Sequence, residues 1–326
     1  MSINKKITFI CVQPDVPYFH WQVEVFINNA MQNGINPNWM EILFAYDGSP
    51  TKDSIDLARR YPFVRFFFYK KTQMENYGYV PILRPDVLNK HFLRFPDLSR
   101  EVIFYHDCDI IFRELPDFDS LSSDPNWYLS DTVSYIGSDY IKSKSTDLFL
   151  NMCKIAEIDP EIVELNNKNS GGAQYLMKGI DSNFWLDVMK ISLNLYKYMY
   201  NKEMIERSGM NESDLSSYNP IQKWCADMWA VLWCGLKRGA NIRISDEFGF
   251  SWATTFGQEE WLKNKIMHNA GITSSQGGRV FYKGDYIDKS PWDEDFSSID
   301  INTNSYNYVQ AIEYANKMRK IYSLPK

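Results

Sequence analysis

Two aspartates one residue apart, Asp107 and Asp109, sit inside the stretch EVIFYHDCDIIFRE from Glu101 to Glu114. Val102, Ile103, Phe104 and Tyr105 lead into them, and Ile110, Ile111 and Phe112 follow. An apolar run of that kind reads as a strand buried on both faces of a sheet. Carboxylates at the end of such a strand are costly unless something positive meets them. An i, i+2 spacing in extended chain turns both side chains to one side. Two hard oxygen donors converging on one spot suit Mg²⁺ or Mn²⁺, and the ion in turn suits a diphosphate. Asp-x-Asp is a short, common pattern that also ends strands and begins turns. The apolar frame and the later residues favour chemistry.

The elements that must position this pair are strands alternating with helices. The pattern predicts strands over Lys6 to Val12, Glu41 to Tyr46 and Val64 to Tyr69. It predicts helices over Phe19 to Gln32, closed by Asn33-Gly34, and over Thr51 to Arg60. Such alternation argues an α/β fold: one large domain with a mostly parallel, Rossmann-like central sheet flanked by helices. Ligands of these sheets lie at the carboxyl ends of the strands. Asp15, Asp47, Asp107 and Asp109 all fall at such ends and are expected to share one rim. Neither GxGxxG nor GxxxxGK[ST] occurs, so no dinucleotide fingerprint or P-loop is expected.

Further along, Tyr77 to Phe95 carries Arg84 just ahead of a helix expected to start near Pro85-Asp86. Its guanidinium fork can reach a phosphate, or it is a solvated charge beside aromatics. Trp127 to Ser130 is a short strand ending at Asp131, and Lys142 to Pro160 reads as helix. Asn169-Ser170-Gly171-Gly172 opens an apolar strand, where the glycines allow a close backbone approach to a ligand or a simple turn. Asp181 to Glu206 is a long amphipathic helix, followed by a polar connector from Ser208 to Pro220. Gln222 to Leu236 is an apolar helix with one acid, Asp227, which is either paired structurally or functional. Ile242 to Ile244 is a strand, Glu259 to Met267 leads to His268, and Asn304 to Tyr322 is a closing helix.

The 326 residues suffice for a large core, and the net charge of −6 gives no global sign of a nucleic-acid coat or an anionic membrane partner. Aromatics are high at 16%, material for cores and for pockets that take sugars and bases. Five cysteines without a CxxC pair predict buried thiols in a reducing compartment. The N-terminus reads as strand rather than signal peptide, and no 18-residue apolar run occurs, so a soluble, cytoplasmic protein is expected.

In this order, the aspartates, the Asn-Ser-Gly-Gly strand, the acid on a late helix and the histidine resemble nucleotide-sugar glycosyltransferases of the GT-A fold. The nearest pattern is the retaining, glycogenin-like and galactosyltransferase-like branch. Asp107 and Asp109 match its DxD pair. His268 to Gly271 (HNAG) matches the first half of its HxxGxxKPW signature, and Lys289-Ser290-Pro291-Trp292 resembles a displaced second half beyond an inserted Arg279 to Tyr286 hairpin. Asn169 to Gly172 resembles the N-[SA]-G of the acceptor-side strand, and Asp227 the acid near the anomeric carbon. Arg84 resembles the arginine that contacts sugar or phosphate.

The resemblance implies metal-dependent transfer of a sugar from a nucleoside-diphosphate sugar, first a UDP-sugar, to a hydroxyl acceptor. It implies that Asp107, Asp109 and His268 hold Mn²⁺ or Mg²⁺. Val12, Gln13, Asp15, Asp47 and Cys108 would line the nucleotide side, and Lys283 or Lys289 would reach the diphosphate. Asp227, then Asp131, are candidates for the catalytic base. Residues to about 115 would form a nucleotide-binding half, about 116–292 the acceptor and donor-sugar half, and 293–326 a helical tail. The default acceptor is a saccharide, free or on protein or lipid, with Trp127, Trp224, Trp229 and Trp252 as stacking surfaces. Alternatives are a hydroxylated base in DNA, a nucleotide-sugar phosphohydrolase using the same aspartates, and a binding module without turnover.

Overall fold

The computed structural model describes residue 3 and residues 5–75, 78–276 and 279–323. Tyr77, at the head of the stretch that carries Arg84, and residues 324–326 of the tail lie outside the described residues. In chain order the strands are β1 (Thr8–Pro14), β2 (Met40–Tyr46), β3 (Arg65–Lys70), β4 (Val102–Tyr105) and β5 (Ile110–Phe112). They continue with β6 (Trp127–Asp131), β7 (Gly171–Lys178), β8 (Ile242–Ile244), β9 (Phe250–Trp252) and β10 (Ile266–His268).

β1 is buried along its whole length because it separates two cores. Phe9 and Cys11 face one core and Ile10 and Val12 the other, as the twofold period of a strand requires. A seven-stranded sheet grows around it in the order β3-β2-β1-β4-β7-β6-β8. Its first four strands are parallel, β7 runs antiparallel to both β4 and β6, and β8 pairs parallel with β6. The mostly parallel sheet is therefore as expected. The reversal at β7 is not visible in its composition, since an apolar strand buried on both faces reads alike in either direction. A second sheet, β5-β10-β9, stands beside the first.

Pro17–Gln32 and Lys52–Arg60 cover the Phe9 face, while Leu83–Arg94, Ser182–Ser208 and Ala226–Lys237 cover the Ile10 face. Pro17 opens its helix without loss, its missing N–H being unneeded there. Gly34, at φ +91°, closes it, with the Ile35 N–H donating to the Ala30 carbonyl. The closing helix (Asn304–Tyr322) packs Tyr308, Val309 and Ile312 against Trp21, Val25, Ile111 and Met267 in a third core.

Several expectations need correction. The stretch from Lys142 to Pro160 is not one helix: Ser145 ends Ser138–Lys144 and caps Thr146–Ala156, accepting the Leu148 N–H. The connector after Ser208 contains Glu212–Ser217, capped by Asn211. Arg279 to Tyr286 is not a hairpin; it is bent, irregular chain entering a 3₁₀ turn over Lys283–Tyr286. Trp127 and Trp229 are core residues and present no stacking surface. All five cysteines are buried and unpaired. Among the described residues no helix is long and apolar enough to cross a membrane.

Asp15, at the end of β1, ties the first two crossovers together. Its Oδ1 accepts the Thr51 hydroxyl at 2.7 Å and meets His20 Nε2 at 2.7 Å. Its Oδ2 accepts the Thr51 N–H at 2.7 Å and the Ser54 hydroxyl at 3.0 Å. Burial pushes this carboxyl up, but His20, Thr51 and Ser54 together hold it below its ordinary value. Asp15→Asn should therefore lose about 1–3 kcal/mol at neutral pH in urea denaturation. A depressed folded pKa gives stability that is complete above about pH 4 and disappears as pH falls through the folded value. The gap between wild type and variant should narrow in acid; a constant gap would refute the charge argument.

Candidate active site

The carboxylate pair stands where the two sheets meet. β4 ends at Tyr105, although the His106 N–H still donates to the Ile10 carbonyl at 3.1 Å, and β5 begins at Ile110 in the other sheet. The residues between the strands thus cross from sheet to sheet. β5 pairs antiparallel with β10 in a register that sets His268 against Ile110. The Asn269 N–H donates to the Asp109 carbonyl at 2.8 Å, which fixes this alignment. A ladder of three residues thereby brings a distant histidine to the aspartates.

Their side chains divide the work. One oxygen of each carboxylate meets a cation: Arg84 Nη2 lies 2.6 Å from Asp107 Oδ1, and the Lys283 ammonium donates to Asp109 Oδ2. The other oxygens turn to His268, whose Nε2 is 3.2 Å from Asp109 Oδ1 and 3.7 Å from Asp107 Oδ2. Asp107, Asp109 and His268 offer one ligand atom each, all within 4.8 Å of one another. The imidazole lies parallel to the Trp252 indole, and its buried Nδ1 has no hydrogen-bond partner among the described residues. Its polar contacts are thus all on the carboxylate side. Two oxygens and one imidazole nitrogen at one point fit Mn²⁺ or Mg²⁺ and leave coordination positions for a ligand.

The charges explain the protonation states. Burial would raise the Asp109 carboxyl, but Lys283 and His268 outweigh it and hold Asp109 well below the carboxylate range. Asp227, in the first turn of Ala226–Lys237, behaves oppositely. Its burial pushes the carboxyl up, the Arg84 charge opposes this, and the Asp107 charge reinforces it. Its Oδ1 accepts the Tyr79 hydroxyl at 3.1 Å, and its Oδ2 lies 3.4 Å from Arg84 Nη1. His106, between the strand and the pair, is not a ligand. Its ring packs against Phe26 and Phe104, and burial lowers its pKa to about 4, so it is neutral.

These groups open into a cavity of ≈ 510 Å³. Gln13, Tyr18 and Phe19 line it from the β1 end, and Pro81, Tyr135, Tyr175, Trp224, Met228 and Val231 line it elsewhere. Arg84, Asp107, Cys108, Asp109, Asp227, Trp252, His268 and Lys283 complete the lining named here. Burial raises the Cys108 thiol far above its ordinary pKa, so it is a neutral wall.

The other sequence candidates do not line this cavity. Val12 is core. Asp15 is consumed by the crossovers described above, and Asp47 is exposed and paired with Lys71 at 3.0 Å. The four strand-end aspartates therefore do not share one rim. Asp131 is exposed and accepts the Val133 N–H at 3.0 Å. Lys289 is exposed and pairs with Glu294 at 2.6 Å.

The two glycines serve packing. A Cβ at Gly171 would stand 2.7 Å from the Ser130 carbonyl oxygen, and one at Gly172 would overlap Met228 Cε. It is Ala173, held at φ +65°, that reaches the cavity. No sequence pattern marks Tyr18, Phe19, Tyr135, Tyr175 or the Tyr79 contact to Asp227 as parts of this site. Only the high aromatic content hinted at them, because no local pattern separates a cavity aromatic from a core one.

No family model and no curated protein matches the chain. Solved structures do. Against the apo structure of the bifunctional glycosyltransferase WbbM, 98% of this chain aligns at a TM-score of 0.51 and 10% identity. The chain spans about half of that protein, 52% of its length. Mouse xyloside xylosyltransferase 1 aligns at 0.38 and 8% identity, over 82% of this chain and 98% of that one. The galactosyltransferase LgtC, solved with donor and acceptor sugar analogues, aligns at 0.39 and 9% identity, over 96% and 95%. At such identities the likeness to WbbM is one of fold, the GT-A type.

The donor set predicts metal binding without any substrate. Mn²⁺ alone should raise the melting temperature, by the equivalent of about 2.7 kcal/mol at 100 times its Kd. Asp107→Asn and His268→Ala should each weaken Mn²⁺ affinity at least about tenfold, cutting the stabilisation at the same Mn²⁺ concentration to about 1.4 kcal/mol or less, since each removes a ligand. An unchanged Mn²⁺ response in both variants would rule the triad out.

Proposed function

We propose that the protein is a metal-dependent glycosyltransferase moving a sugar from a nucleoside-diphosphate sugar to a hydroxyl acceptor. The observation that carries this reading is the meeting of Asp107 Oδ2, Asp109 Oδ1 and His268 Nε2 in a cavity flanked by Arg84 and Lys283. These three residues would hold Mn²⁺ or Mg²⁺, which when bound would neutralise charge on the departing diphosphate.

The chain's own groups do the rest. Lys283, bonded to Asp109, is a point charge beside the ligand site and can turn to a phosphate oxygen. Arg84 spans Asp107 and Asp227, and its remaining donors can orient the donor sugar between them. Asp227 is the acid whose environment raises its proton affinity, which suits a group that accepts the acceptor's proton or holds a sugar hydroxyl. Gln13, Tyr18 and Phe19 offer the nucleoside a wall at the β1 end, and Trp224, exposed in the cavity lining, offers a stacking face to the acceptor. In this division residues to about 115 serve the nucleotide, about 116–292 the sugar and acceptor, and 293–326 the support. UDP is the first base to test, and a saccharide the first acceptor.

Product analysis tests the reading. With Mn²⁺, a panel of nucleotide sugars and saccharide acceptors, transfer yields a glycosylated acceptor and a nucleoside diphosphate by mass spectrometry. Sugar phosphate formed without acceptor would instead indicate a phosphohydrolase, and no product at all a binding module. Asp227→Asn should lower turnover about 10²–10⁴-fold while leaving the nucleotide-induced thermal shift in place.

A further inference from the structure

Tyr79 is fully buried, yet its hydroxyl belongs to the site. It donates to Asp227 Oδ1 at 3.1 Å, accepts the Asp227 N–H at 2.8 Å and lies 3.4 Å from the Trp224 carbonyl oxygen. Ala226–Lys237 begins with no side-chain cap of its own. The phenol therefore satisfies one of the N–H groups that a helix start leaves open and grips the carboxylate of the same residue. The ring cannot shift: it stacks on Tyr196 with centroids 4.2 Å apart and meets Trp224 edge-on at 5.9 Å. With Oδ1 held, the other oxygen of Asp227 is left facing Arg84, which also holds Asp107.

We propose that Tyr79 is a positioning residue for this site: its hydroxyl fixes the rotamer of Asp227 and thereby sets the distance between that carboxylate and the Arg84–Asp107 pair. This rests on the glycosyltransferase reading only for what Asp227 does, not for how it is held. Without the phenol oxygen, Oδ1 loses its partner and the Asp227 N–H loses its acceptor. The carboxylate is then free to change rotamer, and its distance from Arg84 is no longer fixed. Tyr79 touches neither donor nor acceptor in this arrangement and acts through Asp227.

Tyr79→Phe keeps the ring, the stack and the packing and removes only the hydroxyl. Tyr196→Phe is the control, since it keeps both stacked rings and leaves the Tyr79 hydroxyl in place. In the transfer assay Tyr79→Phe should lower kcat about 10–100-fold with the donor KM within about twofold, whereas Tyr196→Phe should leave both near wild type. Combined with Asp227→Asn, Tyr79→Phe should add little further loss, because both changes disable one device. The ¹³C resonance of the Asp227 carboxyl reads the same point without turnover and should move in Tyr79→Phe alone.

A wild-type kcat in Tyr79→Phe, a fully multiplicative double variant, or an unmoved Asp227 resonance would each overturn the proposal. Absence of transfer by the wild type would overturn the proposed function instead. The carboxyl resonance would still decide whether Tyr79 positions Asp227.

Discussion

Three carboxylates, the buried Asp109 and Asp227 and the half-buried Asp107, meet at one cavity, and the structure depends on meeting them with positive charge. Arg84 answers Asp107 and Asp227, Lys283 answers Asp109, and His268 stands between the pair. Such pairs are weak sources of stability, because desolvation offsets their attraction, but removing one partner is severe. These partners come from three separate parts of the chain, and Asp227 comes from a fourth. The charge balance therefore specifies how the helix after β3, the Ala226–Lys237 helix, β10 and the segment before the closing helix must come together. In return it leaves two carboxylate oxygens and an imidazole nitrogen free of any full cation.

The joint between the sheets makes that balance geometrically possible. The seven-stranded sheet carries β4 in a deep apolar frame, rigid on both faces. The three-stranded sheet is small, and its strands of three residues each would not hold alone. It is held because Ile111 and Met267 sink into the third core beneath Trp21 and Tyr308. The closing helix is thus part of what keeps His268 in register with Asp109, although it contributes no residue to the cavity lining.

The pairing of Asp227 with Tyr79 shows a second use of burial. Asp109 is kept ionised by the Lys283 ammonium together with the His268 imidazole, while Asp227 has one shared cation, a neutral phenol and a nearby carboxylate. Two acids on one cavity thereby differ in proton affinity, the pattern expected where one binds a cation and the other handles a proton. A phenol is a suitable partner for the second acid, because it orients the carboxylate without adding the charge that would lower its proton affinity.

The apolar run before Asp107, the strand β1, the Asn33-Gly34 stop and the closing helix were all readable. Each is set by neighbours in sequence through burial period, backbone freedom or capping. The Asp-x-Asp spacing and the identity of His268 were readable for the same reason. Asp15 and Asp47 looked equivalent to Asp107 and Asp109, since a strand end looks alike whether its acid faces a cavity, a crossover or water. Lys283 and Lys289 could not be told apart, because their positions follow from how an irregular segment folds against the third core. The sequence by itself determined the strands, the stops and the types of chemical group available. Only the tertiary structure decided which of those groups meet, because β10 pairing with β5, the reach of Lys283 and the grip of Tyr79 on Asp227 join residues far apart in the chain, and no local pattern encodes such distances.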